Sequence, residues 1–103
     1  MIRPTTEAMA CPEECRCEWE GYLVDCSDSG LNSIPSILPT HVRHLVLDGN
    51  RITFFEITPG VFEKISSLES LYLGNNFIEH LDSDVLSGLV NLKNLSLVGQ
   101  KLQ

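Results

Sequence analysis

The segment "LESLYLGNNFI" at residues 68–78 places apolar side chains at its first, fourth, sixth and eleventh positions and an asparagine at its ninth. The same pattern recurs upstream in "VRHLVLDGNRI" at 42–52 and downstream in "LKNLSLVGQKL" at 92–102, where Gln100 replaces the asparagine. Three copies in register within about sixty residues exclude a chance match. The chain past Leu31 is therefore built from one repeated structural unit.

The spacing within each copy predicts the architecture. Self-similarity at a period of about 20–29 residues with this pattern is the signature of a leucine-rich repeat. The fourth and sixth positions alternate with period two, so both leucines point inward from one short strand. We expect these strands to stack in parallel as the concave face of an α/β solenoid. The ninth-position asparagine is expected to bond the backbone of the following turn in a ladder, which the longer Gln100 side chain should break.

The segments between the strands return along the convex side. Short helical or 3-10 turns are predicted around Gly60–Ser66 and around Ser83–Leu89, and "ITPG" at 57–60 predicts a turn that bulges outward. Apolar residues that continue the inward pattern in these segments are Phe55, Phe62, Ile65, Leu81, Leu86 and Leu89.

All four cysteines lie in "CPEECRCEWEGYLVDC" at residues 11–26. Zinc sites usually combine a close cysteine pair with a second pair some distance on, whereas Cys15 and Cys17 are one residue apart and no histidine lies near. A C-x-x-C redox pair is also missing. An even count in a short, acidic, turn-rich segment favours two disulfides, and therefore an oxidising compartment. Four cysteines allow three pairings, of which a Cys15–Cys17 bridge would constrain almost nothing.

The cysteine-rich segment is predicted to cap the stack, because the first repeat of a solenoid otherwise exposes its core edge to water. Val24 and Cys26 take the place of the paired leucines, and Cys15–Glu18 is expected to run antiparallel to them in a β-hairpin. Trp19 and Tyr22, near the tip, are expected to shield this cap, and a binding role is their alternative. The predicted organisation is a disordered leader at 1–10, a cap at 11–40, and repeats at 41–67, 68–91 and, in part, 92–103.

The segments "CPEECRC" and "VDCSDSGLNSIPSILP" resemble the cysteine-rich N-terminal flanking module of extracellular leucine-rich-repeat proteins. That group includes Slit proteins, small leucine-rich proteoglycans, variable lymphocyte receptors and leucine-rich-repeat G-protein-coupled receptors. The resemblance covers residues 11–102. It implies the disulfides Cys11–Cys17 and Cys15–Cys26, secretion or cell-surface display, and ligand binding on the concave sheet. Since such proteins normally carry more repeats, we expect an N-terminal fragment with an open apolar edge at Leu92–Leu102 through which it self-associates.

The outward side chains of the strands form the predicted binding face. Tyr72 is the preferred anchor, because large amphipathic side chains are enriched at interface hot spots; packing against Val46 is its alternative role. Asn94 begins the sequon "NLS", a possible glycosylation site on the same face, which is expected to be unoccupied or to lie outside the part that partners use. The predicted ligand-binding residues are His44, Val46, Asp48, Ser70, Tyr72, Asn94 and Ser96.

Composition and motifs exclude several other functions. The net charge of −7 and the lack of a basic stripe argue against nucleic acid and favour a basic protein partner. No apolar run approaches the roughly 20 residues of a membrane span. No motif sets His41, His44 or His80 beside a nucleophile, and no ligand cluster points to a metal or other cofactor.

The sequence therefore predicts a non-enzymatic, extracellular module that recognises a protein ligand on its concave sheet. The alternative is a structural or matrix element whose edges, rather than its concave face, make the contacts.

Overall fold

The computed structural model describes residues 10–58 and 60–101. The leader predicted at 1–10 lies outside these residues except for Ala10, as do Pro59 of the predicted turn and Leu102 of the predicted open edge.

Five short strands form one sheet in chain order. The first strand is antiparallel to the second, and the other three pairings are parallel. This confirms the predicted solenoid with a parallel concave sheet and an N-terminal β-hairpin cap. The strands are β1 Arg16–Glu18, β2 Leu23–Asp25, β3 His44–Val46, β4 Ser70–Tyr72 and β5 Asn94–Ser96.

The core lies behind the sheet, on the side of the inward leucines. The strand register aligns Val24 of the cap with Leu45, Leu71 and Leu95 of the repeats. Val24, Leu45 and Leu71 are each 0% exposed, as period-two alternation predicts. Stacking one repeat on the next thus builds a continuous apolar column.

The predicted asparagine ladder is present. Asn76 is 0% exposed, and its Oδ1 accepts a hydrogen bond of 3.0 Å from the Ile52 backbone N–H. Its Nδ2 donates to the carbonyl oxygens of Leu47 and Leu73 at 2.9 and 3.1 Å. Asn50 makes the equivalent bonds one repeat earlier. Each amide therefore joins two successive repeats and satisfies buried backbone groups that have no strand partner.

The expectation that Gln100 breaks the ladder is wrong. Its Oε1 accepts a hydrogen bond of 2.8 Å from the Ile78 N–H, and its Nε2 donates to the Leu73 carbonyl at 2.7 Å. Gln100 is only partly buried, so the side chain has room to accommodate its extra methylene and still bring the amide to the same backbone groups.

The convex side is made of 3-10 turns. The turns at Glu63–Ile65 and Ser83–Leu86 confirm two predictions, and a third occurs at Phe54–Glu56. The prediction that Phe55 points inward is wrong, because this third turn directs it outward with 73% exposed. Ile57 takes its place in the core at 5%.

The cap closes the first edge of the stack with a hairpin and two disulfides. The bridges join Cys11 to Cys17 and Cys15 to Cys26, the pairing that the family resemblance implies. Cys26 is fully buried, and Cys15 and Cys17 pack against the core cluster. The two bridges therefore attach the cap to the edge of the core.

Candidate functional site: the concave sheet

The strand register arranges the outward side chains in two rows across the concave sheet. Asp25, Val46, Tyr72 and Ser96 occupy equivalent positions in the first row, and Leu23, His44, Ser70 and Asn94 in the second. Asp48 follows β3 on the same face. The sheet therefore brings all the residues predicted for binding onto one surface.

Their exposure separates them. Tyr72 is partly exposed at the centre of its row, with Val46 and Ser96 on the neighbouring strands. His44 and Asp48 are also partly exposed, and Asn94 is exposed. These side chains are accessible to a partner without rearrangement of the sheet.

Ser70 departs from the prediction. It is 2% exposed, and its Oγ accepts a hydrogen bond of 3.2 Å from Asn94 Nδ2. A serine side chain is too short to rise above His44 and Asn94, its larger neighbours in the row. Ser70 therefore supports Asn94 and does not offer its own side chain to a ligand.

Two aspartates contribute negative charge to this face and also fix its backbone. Asp25 Oδ1 accepts a hydrogen bond of 2.9 Å from the Ser27 N–H. This backbone bond, with help from the Ser27 hydroxyl and Arg16, holds the pKa of Asp25 below its ordinary value despite partial burial. Asp48 Oδ1 accepts a hydrogen bond of 2.7 Å from the Gly74 N–H. Asp25 is thus a carboxylate at neutral pH, and Asp48 ties β3 to the turn after β4.

The glycine at position 74 is required by this close packing. A Cβ added there would lie 3.0 Å from the Val98 carbonyl oxygen and 3.3 Å from Asp48 Oδ1. A larger residue at position 74 would therefore displace Asp48 or the turn after β5.

Sequence reasoning missed Trp19 as a surface residue. The prediction that it shields the cap is wrong, since 67% of it is exposed. Its ring stands edge-on to His44, with 6.4 Å between the centroids, and so adjoins the concave face. The signal was present in "WEG", because a glycine at a hairpin tip predicts a turn whose side chains project into solvent.

Tyr22 behaves differently from Trp19. It is 39% exposed, with the Arg43 guanidinium 4.7 Å from its ring centroid and the His41 ring edge-on at 5.1 Å. Tyr22 therefore packs the cap onto the first repeat, in line with its predicted shielding role.

A row of charges borders the sheet where the strands begin. Glu69 lies 3.7 Å from Arg43 and 3.7 Å from Lys93, one repeat away on either side. All three are at least partly exposed, so these pairs contribute little stability. They do pair the cations Arg43 and Lys93 with a carboxylate at this border of the concave face.

Other kinds of site are not indicated in the part of the chain that the structure describes. No group of three or more His, Cys, Asp or Glu side chains there is placed to hold a metal ion. No helix among the same residues is long and apolar enough to cross a membrane. A groove of about 270 Å³ lies on the convex side, lined by residues such as Ile37 and Val61, away from the concave face.

Comparison with known proteins agrees with this architecture. The Leucine rich repeat family model matches residues 40–102, and the Leucine rich repeat N-terminal domain model matches residues 10–39. Leucine-rich repeat-containing G-protein coupled receptor 5 from Rattus norvegicus is 36% identical over 98 residues, and that from Homo sapiens 34% over 96. These matches cover 92% and 90% of this chain but only 11% and 10% of the receptors.

A solved structure gives the same result. Human 5T4 (Wnt-activated inhibitory factor 1, trophoblast glycoprotein) superposes with a TM-score of 0.78 at 27% sequence identity. The superposition covers 90% of this chain and 34% of that one. The chain spans about a tenth of the length of the curated relatives it matches. Its register, its ladder and these matches show that the chain belongs to the leucine-rich-repeat family and carries that family's cysteine-rich N-terminal cap.

Proposed function

We propose that this chain is an extracellular module that recognises a protein ligand on its concave sheet. The observation that carries the proposal is the row Val46, Tyr72 and Ser96, which sets an accessible aromatic ring between smaller side chains at the centre of a preformed surface. Such a surface loses little conformational entropy on binding, so a single aromatic anchor contributes strongly to affinity.

The compartment is inferred from the cap. Disulfides persist in oxidising environments such as the cell exterior, and this cap contains two. The similar proteins, a receptor and a glycoprotein, agree with that environment. We therefore place the module in a secreted protein or a cell-surface ectodomain.

The charge of the face indicates the kind of partner. Asp25 lies in the same row as Tyr72, and Asp48 lies beside it next to Gly74. The whole chain carries a net charge of −7. A partner with basic residues on its contact surface is favoured, and raising the salt concentration should slow its association.

The test is Tyr72→Ala, measured by surface plasmon resonance against a binding protein selected from a panel of purified secreted proteins. We expect the affinity to fall by more than about 1 kcal/mol, as for a hot-spot aromatic. Phe55→Ala is the matched control, since Phe55 is exposed on the convex side. Circular dichroism should show both variants folded. If Phe55→Ala weakens binding and Tyr72→Ala does not, the binding surface is convex and the proposal fails.

A second candidate function is assembly through the edge of β5. Val98 is 75% exposed and Leu95 40% exposed at that edge, and exposed apolar edges favour association. If assembly uses this edge, Val98→Lys should reduce self-association measured by sedimentation velocity. Tyr72→Ala should leave self-association unchanged.

A further inference from the structure

The tip of the cap hairpin has an unusual backbone. Trp19, Glu20 and Gly21 follow one another with φ of 54°, 54° and 93°. Glycine adopts this left-handed region freely, but a bulky residue there is a conformational outlier. Two consecutive non-glycine outliers cost free energy and persist only where the surrounding structure holds them, which occurs most often at binding sites.

The contacts that hold the tip are specific. His41 Nε2 lies 2.7 Å from the Glu20 carbonyl oxygen, and because a carbonyl only accepts, the imidazole nitrogen is the donor. The Tyr22 N–H donates to the Trp19 carbonyl at 3.0 Å. Gly21 is buried, and a Cβ there would approach His41 Nε2 at 3.0 Å and Pro39 Cβ at 3.1 Å. The tip is therefore fixed against the start of the first repeat.

Fixing the tip presents Trp19 at one end of the concave face. The residue is 67% exposed, and its ring adjoins His44. The register places Glu18 opposite Leu23, which is itself opposite His44. Glu18 thus continues the second row from Leu23 onto β1, and Trp19, the next residue in the chain, adjoins the row at His44.

The charges around Trp19 specify its ligand. Between residues 11 and 30 the chain has six carboxylates and one guanidinium, that of Arg16. Arg16 faces Asp25 across the β1–β2 pairing. Within residues 10–58 and 60–101 the ion pairs are those of Glu69 with Arg43 and Lys93, so Glu18 is in neither. The carboxylates are Glu13, Glu14, Glu18, Glu20, Asp25 and Asp28.

From this geometry we infer that Trp19 and Glu18 form a second anchor site, which binds an arginine or lysine side chain of the protein partner. A cation over the face of an indole is the strongest of the cation–π pairs, and a neighbouring carboxylate adds charge complementarity. Such a pair already joins the cap to the first repeat, where Arg43 lies over Tyr22. The inference rests on the proposed recognition at the concave sheet and adds to it the class of side chain that the partner brings to the cap.

The test uses Trp19 as its own reporter, because the sequence contains a single tryptophan. The oxidised chain is titrated with a tetra-arginine peptide, and its tryptophan emission is followed; a tetra-citrulline peptide of equal shape but no charge is the comparison. We expect a saturable change with the arginine peptide and at least a tenfold weaker response with citrulline. No saturable change, or equal responses to both peptides, would overturn the inference.

Two pairs of variants separate a site from general attraction to an acidic protein. Glu18→Gln and Glu63→Gln remove the same charge, but Glu63 is exposed on the convex side. We expect Glu18→Gln to lower the affinity for the tetra-arginine peptide at least threefold and Glu63→Gln to leave that affinity unchanged. Trp19→Leu should lower the peptide affinity measured by calorimetry at least fivefold, and Phe55→Leu should not. Equal effects within either pair would show that only net charge or general apolar area matters.

The outcome can be told apart from failure of the proposed function. Tyr72→Ala tests whether a protein ligand binds the centre of the concave sheet, and it should leave the affinity for tetra-arginine unchanged. If the peptide fails to bind while Tyr72→Ala still weakens the protein ligand, the Trp19 inference is wrong and the proposed function stands. If the peptide binds as expected while the protein ligand ignores Tyr72, the cap carries recognition without the sheet centre.

Discussion

Val24 and Leu95 occupy equivalent register positions at opposite ends of the sheet. Val24 is fully buried, whereas Leu95 is 40% exposed. The difference arises from the neighbours rather than from the residues, because β1 covers Val24 on its outer side and β5 pairs with β4 alone among the described strands. Burial in a solenoid is thus supplied by the next layer of the stack.

The layer that covers Val24 is not itself apolar. Arg16 and Glu18 of β1 are exposed, and only Cys17 of this strand packs against the core. A three-residue strand of this composition has too little apolar surface to stay docked by burial. The cap is therefore expected to depend on its disulfides, whereas the repeats depend on leucine packing.

Removing a cap bridge should have the largest effect on stability. The Cys15–Cys26 and Cys11–Cys17 bridges close loops with sequence separations of 11 and 6 residues. Loop-closure entropy predicts about 3 and about 2 kcal/mol from them, so reduction of both should cost about 5 kcal/mol. Thermal unfolding followed by circular dichroism, with and without a reductant, measures this loss.

The paired variants rank the bridges. We expect the double variant Cys15→Ser with Cys26→Ser to lower the midpoint more than Cys11→Ser with Cys17→Ser. Its loop is the longer one, and Cys26 is fully buried. An unchanged midpoint after full reduction would mean that the cap is held by contacts other than the bridges.

The same leucine substitution should give unequal losses at the two ends of the column. Leu71→Ala removes a side chain that is 0% exposed and should cost about 3 kcal/mol through lost burial and a residual cavity. Leu95→Ala should cost about 1 kcal/mol, because that side chain already contacts water. Urea denaturation of both variants measures the difference, and equal losses would show that Leu95 is as well covered as Leu71 in solution.

Sequence reasoning succeeded where local periodicity determines the structure. The spacing of Leu45, Leu71 and Leu95 gave the strands and their inward direction, because alternation in a strand is a property of the backbone. It failed at Phe55 and Ser70, where burial depends on the direction of one turn and on the size of neighbouring side chains. Both are set by tertiary packing, which single-sequence periodicity does not contain.

Trp19 and Gln100 are failures of a related kind. The exposure of Trp19 follows from the left-handed backbone of the hairpin tip, which a hydrogen bond to His41 holds in place. His41 lies more than twenty residues further along the chain, so local sequence does not indicate this contact. Gln100 keeps the ladder because its position is not tightly enclosed. Sequence periodicity therefore located the sheet and Tyr72 but not the position of Trp19, which adjoins the face at His44.

Loss of a ladder amide should give the smallest difference in unfolding free energy between the enclosed middle of the stack, at Asn76, and its last described turn, at Gln100. Asn76→Ala leaves the buried Ile52 N–H without its partner and removes one of the two donors to the Leu47 and Leu73 carbonyl oxygens. It should therefore cost about 2 kcal/mol. Gln100 is itself only partly buried, so water can take the place of its amide in Gln100→Ala, and this variant should cost under about 1 kcal/mol.

A third variant isolates the length of the side chain. If the extra methylene of Gln100 is accommodated only because its surroundings are open, Gln100→Asn should change the unfolding free energy by less than about 0.5 kcal/mol, since either amide then reaches the backbone. Asn76→Gln should instead cost at least about 1 kcal/mol, because that position is 0% exposed and has no space for another methylene. Urea denaturation of the two swaps measures both, and a large loss in Gln100→Asn would mean that the last turn is shaped to fit glutamine.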